Sequence, residues 1–197
     1  MEIDPKEVIE QATQARSARL NAAVALTVAV LSTFLGICKV KDDNVVQAMQ
    51  QAQADKVDHW AFYQARNLRE EVARATATQL RLSLIGVHEP EKVAAVQAEI
   101  AAYQRLVADQ AEKKDALRVQ ALADQARYDE LNYKDDQFDL CDALLAVAIS
   151  MLAVSTLTGK RWLYGLAMVP TAFGLAMGLA GLLGWHLHSD TLARWLS

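Results

Sequence analysis

The stretch WLYGLAMVPTAFGLAMGLAGLLGWHL, residues 162–187, decides the fold. Its 26 residues include no Asp, Glu, Lys or Arg. Bilayer hydrocarbon is about 30 Å thick and a helix rises about 1.5 Å per residue, so roughly 20 apolar residues cross it. This stretch is long enough to cross with tilt, and Pro170 marks a kink site. Trp162 and Trp185 stand about 34 Å apart along a helix, which suits aromatic anchors at opposite interfaces. Residues 20–38 and 143–158 are uncharged as well. The latter extends back to Leu140 if Asp142 sits near the helix N-terminus, where the dipole favours a carboxylate. The reading is an all-α integral membrane protein with three transmembrane helices at 20–38, 140–158 and 162–187.

Whole-chain averages hide this. With 197 residues, 53% hydrophobic, 22% charged and a mean hydropathy of +0.06, the chain resembles a one-domain soluble protein. Yet the three uncharged stretches hold 61 residues and none of the 44 charges. Segregation this complete argues against a soluble enzyme with a single core. Residues 1–19 read as an amphipathic helix, with Asp4 as cap, Pro5 at the first helical position and Glu7 three residues after the cap. They are too long and too acidic for a signal-peptide n-region, so the first span is expected to stay uncleaved. Leu35-Gly36-Ile37-Cys38 resembles a lipoprotein box, but Ile37 stands where a small residue is needed.

Between spans one and two, residues 39–139 are predicted to form an extramembrane helical hairpin of coiled-coil-like, antiparallel arms. Residues 39–142 carry 14 basic and 19 acidic residues without a long block of one sign, which argues against nucleic-acid binding. Gly86-Val87-His88-Glu89-Pro90 is the one clear break, so helices are expected at about 42–85 and 90–138 with a turn at 86–90. The second arm shows a seam: Val93, Val96, Ile100, Tyr103, Val107, Gln110, Lys114, Leu117, Ala121, Asp124, Tyr128 and Leu131 alternate spacings of three and four. The first arm opens a seam with Val45, Met49 and Ala52. A second seam is expected at Ala61, Ala65, Leu68, Val72, Ala75 and Leu82, after a register shift near 57–60. Folding about position 88 pairs residue i with about 176 − i, placing Trp60 opposite Ala116 and Leu117. The same fold brings Cys38 and Cys141 to one level as a candidate disulfide.

The most specific local feature is His59-Trp60-Ala61-Phe62-Tyr63-Gln64-Ala65-Arg66-Asn67-Leu68-Arg69. Its aromatics cannot share one helix face. Trp60, Tyr63, Gln64 and Asn67 form one stripe, and Phe62, Arg66 and Arg69 another. One stripe is read as hairpin packing and the other as a protein-contact surface, so Trp60, Phe62, Tyr63, Gln64, Arg66 and Arg69 are the candidate interaction residues. In the last span, Ala167, Thr171, Gly174, Gly178 and Gly181 form a small-residue stripe. Gly174, Gly178 and Gly181 are its helix-packing candidates, against span two or against another copy. His186, His188 and Asp190 fail as a metal site, because helix positions two apart diverge by about 200°. His59 and His88 are isolated, and residues 188–197 read as an interfacial tail. No C-x-x-C, phosphate loop, G-x-S-x-G or dinucleotide fingerprint occurs, so no catalytic residue, metal or cofactor is expected.

The box WAFYQARNLR at residues 60–69, about twenty Ala/Gln-rich residues after one N-terminal span and with two spans at the C-terminus, resembles a family of bacterial membrane proteins classed as a domain of unknown function. The resemblance covers most of the chain. It implies a bacterial inner-membrane protein with three spans and a helical middle, and it brings no activity and no active-site residues. Arg16, Arg19, Lys160 and Arg161 place the N-terminus and the 159–161 turn in the cytoplasm and the hairpin in the periplasm. The expected function is a non-enzymatic oligomeric membrane scaffold or accessory subunit, with lipid, further copies of itself and a larger membrane complex as partners. A channel or transport component formed by the oligomer is the alternative.

Overall fold

The computed structural model describes residues 5–185. Three helices account for nearly all of them: α1 (Pro5–Ser83), α2 (Pro90–Thr158) and α3 (Arg161–Leu183). The Asp4 cap, the His186/His188/Asp190 group and the 188–197 tail lie outside the described residues. Each helix is long and apolar enough in part to cross a membrane, and the chain is a multi-pass membrane protein. The apolar windows are mostly exposed, as surfaces meeting lipid must be.

α1 and α2 pack against each other as a hairpin. Neither arm breaks at its membrane end: α1 runs 79 residues and α2 runs 69. Apart from Gly36, inside the first span, no glycine or proline falls between Pro5 and Gly86, and none falls between Pro90 and Gly159, so nothing terminates either helix. The hairpin turns through Gly86, whose φ of 82° is the left-handed conformation that favours glycine. Val87 N–H donates to Leu84 O, and Pro90 opens α2 where its missing N–H is not needed. α3 is shorter than the expected 162–187: Gly184 adopts the left-handed conformation and Trp185 N–H donates to Ala180 O, a C-terminal cap that ends the helix.

The chain forms two compact units, residues 1–47 with 131–197, and residues 48–130. In the first unit, Phe138, Cys141, Leu145, Ala148, Leu152 and Ser155 repeat at three and four along α2 and are buried. Leu31 and Cys38 of α1 and Ala167 and Ala180 of α3 are buried as well.

In the second unit the core is thin: Ala52, Ala73, Ala77, Ile100 and Ala121 are its buried apolar residues. All twelve seam positions expected on the second arm are buried or half-buried. On the first arm the expectation needs correction. Its seam does not shift near 57–60 but continues from Ala52 through Lys56, His59, Tyr63, Arg66, Glu70, Ala73, Ala77 and Leu80, all buried or half-buried. The expected second seam, Ala61, Ala65, Leu68, Val72, Ala75 and Leu82, is exposed throughout. The regular apolar stripe faces outward there, and the seam is polar because its side chains bond across the hairpin.

Candidate functional site

Those cross-hairpin bonds form a ladder. Lys56 Nζ donates to Gln125 Oε1 at 2.9 Å, and His59 Nδ1 lies 2.6 Å from Asp124 Oδ2. Arg66 Nη1 donates to Gln110 Oε1 at 3.0 Å. Lys114 Nζ donates to Glu70 Oε2 at 2.7 Å and to Asn67 Oδ1 at 3.2 Å, while Arg74 donates to the other oxygen of Glu70. Glu70 is buried. The Lys114 hydrogen bond, then that of Arg74, holds its carboxyl below the usual range, and the same bond holds the Lys114 ammonium above its own. Residue numbers of these partners add to between 176 and 184, so the register lies a few residues beyond the expected 176. Trp60 therefore stands roughly level with the fully buried Ala121 rather than Ala116.

The 60–69 box divides differently from its two expected stripes. Tyr63 and Arg66 lie in the seam, with Trp60 and Asn67 half-buried beside them. Trp60 and Tyr63 meet edge-on, ring centroids 5.3 Å apart. Phe62, Gln64 and Arg69 face outward, and Phe62 is 59% exposed. Arg66 thus leaves the outer stripe and Gln64 joins it.

The hairpin's other end, in the first unit, carries a denser cluster. Cys38 and Cys141 are both fully buried free thiols, hydrogen-bonded side chain to side chain. One turn further, Asp42 is buried and accepts a 2.8 Å bond from Lys39. Across from it, burial raises the Asp135 carboxyl to about 6, helped by a hydrogen bond to Asp42 and by the negative charges of Asp139 and Asp136. Gln137 Nε2 donates to Trp185 O at 2.8 Å, closing the end of α3.

The small-residue stripe of α3 packs in the same unit, and Gly178 meets Cys141 of this cluster. Ala167, Thr171, Gly174, Gly178 and Gly181 are all buried. Gly174 lies against Leu145, Gly178 against Phe34 and Cys141, and Gly181 against Phe138. Its partners are therefore α1 and α2 of the same chain. Asp42, Asp135 and the seam's Lys56, His59 and Glu70 were not singled out from sequence as site residues. A signal existed: Gln110, Lys114 and Asp124 are the three polar interruptions of the second arm's seam, and each bonds a polar residue of the first. Among the described residues, no three His, Cys, Asp or Glu are placed to hold a metal ion.

The family model "Domain of unknown function (DUF4337)" matches residues 20–184, covering all three spans and the hairpin. The chain belongs to the DUF4337 family. No curated protein and no solved structure matches it. In this DUF4337 chain, the family match thus encloses the seam ladder, the carboxyl–thiol cluster and the glycine stripe together.

Proposed function

We propose that this chain is a non-enzymatic, oligomeric scaffold or accessory subunit of the bacterial inner membrane. Its hairpin is a periplasmic protein-contact arm, and its N-terminus and 159–161 turn are cytoplasmic. One observation carries the reading: the first arm is built inside out. Its seam holds Lys56, His59, Arg66 and Glu70, whereas its outer face from 54 to 85 presents Val57, Phe62, Leu68, Val72, Leu82 and Ile85 among alanines, beside the exposed charges of Asp58, Arg69, Glu71, Arg74 and Arg81. Leu68 is 65% and Leu82 61% exposed. A hairpin that stayed alone in water would carry the opposite pattern.

The second arm supplies a matching surface. Its outer face is rich in exposed alanine (Ala94, Ala98, Ala102, Ala108, Ala116, Ala123), which accepts large side chains. Residues 56–83 of the first arm carry a net charge of +2, and residues 97–124, level with them, carry −1. Copies in one membrane are related by rotation about its normal, so residues at one level in a hairpin meet at that level between copies. Arg69 of one copy then faces Glu112 of the next, both exposed. The contact runs from the first arm of one copy to the second arm of its neighbour, a head-to-tail interface that closes into a ring.

The test is a chain bearing Leu68→Cys and Glu112→Cys, treated in native membranes with a short bis-maleimide. The native thiols are buried and serve as the unreactive background. The expected result is a ladder extending beyond dimer. A single Leu68→Cys chain that crosslinks to itself would refute the head-to-tail contact. A monomer in mild detergent, with no crosslink in membranes, would sink the oligomeric reading itself.

A further inference from the structure

In the first unit, Arg19, Leu20, Ala23, Arg161 and Tyr164 line a cleft of about 240 Å³. We propose that this cleft binds the phosphate of an anionic phospholipid headgroup. Arg19 immediately precedes the first uncharged stretch, and Arg161 is the first residue of α3. Both residues therefore border an uncharged span, at headgroup depth. Two cations from different helices share one cleft, and among the described residues neither has an ion-pair partner. Two like charges lining one cleft call for an anion, and the planar guanidinium matches phosphate oxygens in paired hydrogen bonds. Tyr164 fixes the cleft's wall: its hydroxyl donates to Thr27 Oγ1 at 3.1 Å, and Thr27 in turn donates to Ala23 O.

The cleft's surroundings favour a lipid over free phosphate. Its floor is Leu20 and Ala23. Leu26 and Val30 follow Ala23 at spacings of three and four on the same face of α1, and both are exposed apolar residues. From Arg19 to Val30 a helix descends about 16 Å, which is half the hydrocarbon thickness and the depth an acyl chain occupies. A headgroup held by Arg19 and Arg161 thus lays its chain on an apolar strip that begins at the cleft itself. The site is independent of which side of the membrane it faces and of whether copies associate.

Native mass spectrometry of the full chain in mild detergent, titrated separately with phosphatidylglycerol, phosphatidylcholine and inorganic phosphate, tests the assignment. Phosphatidylglycerol is expected to add one tightly held lipid per chain, and phosphatidylcholine to bind far more weakly. Arg19→Gln and Arg161→Gln are each expected to weaken phosphatidylglycerol binding about fivefold, the usual contribution of one basic residue at an anionic surface. Lys160→Gln, beside the cleft but not lining it, leaves binding unchanged. The Arg19→Lys/Arg161→Lys chain keeps most of it, which separates lost charge from lost folding. Equal binding of phosphatidylcholine, unaltered affinity in the Arg19→Gln/Arg161→Gln chain, or displacement of the lipid by millimolar inorganic phosphate would each overturn the proposal.

Discussion

A methyl group added at Gly178 would stand 2.7 Å from Phe34 Cε1 and 2.8 Å from Cys141 Sγ, closer than carbon approaches either atom. At Gly165, in the same helix, nothing lies within 4 Å. Gly178→Leu is therefore expected to destabilise the three-helix packing by about 1–3 kcal/mol or more through overpacking, whereas Gly165→Leu changes little. Thermal melting of the two variants in detergent checks the contrast, and equal melting points would refute the assigned partner. Asp135 makes a second prediction at this scale. Its folded-state value, about 6, lies above the ordinary carboxyl value near 3.9, so the folded chain holds the proton more tightly. Stability from this group is full at low pH and declines as pH rises through roughly 4 to 6. Glu70 acts in the opposite sense: its lowered value contributes above the ordinary range and is lost as pH falls below it. In a chain carrying Asp135→Asn, the decline of stability between pH 4 and 6 should flatten, as followed by chemical denaturation across pH.

The hairpin arms show where sequence reading succeeds and where it fails. The second arm was legible because nine of its twelve seam residues are apolar or aromatic, and periodicity finds apolar stripes. The first arm defeated the same method. Its seam holds the half-buried Lys56, His59 and Arg66 and the buried Glu70, and its regular apolar stripe lies outside, so apolar periodicity points to a register shift that the structure does not have. The three spans and the glycine stripe were legible for a simpler reason, that absence of charge over a bilayer's width has few explanations. The carboxyl pair was not, because Asp42 and Asp135 lie 93 residues apart and only the closed hairpin brings them together. A ladder of buried charges carries its own consequence. Glu70→Ala leaves Lys114 without its main partner, and should lower the melting temperature more than Glu89→Ala, which breaks only the exposed Glu89–Lys92 pair. Replacing both Glu70 and Lys114 with leucine is expected to be neutral or stabilising, since two apolar groups remove the desolvation penalty together. If that double variant melts lower than Glu70→Ala, the seam depends on its charges for more than pairing.

For the whole molecule, the number of crossings fixes which loops share a side. Three helices crossing one membrane put the residues before the first span and the turn between the last two on one face, with the hairpin tip on the other. Both positions on the first face are basic, with Arg16 and Arg19 at one and Lys160 and Arg161 at the other. Short flanking segments of this kind set orientation, since translocating lysine or arginine against the membrane potential is unfavourable. In the proposed orientation the hairpin tip, with His88 exposed between Gly86 and Pro90, is the periplasmic end. A cysteine placed by His88→Cys should react with a membrane-impermeant maleimide in intact cells whose outer membrane has been made leaky. One placed by Lys160→Cys should react only after the inner membrane is opened. The native thiols are fully buried and supply the blank. Labelling in the reverse order would invert the orientation while leaving three crossings intact. Labelling of both positions from outside would put them on one side, so that the second span, the one apolar stretch between them, does not cross.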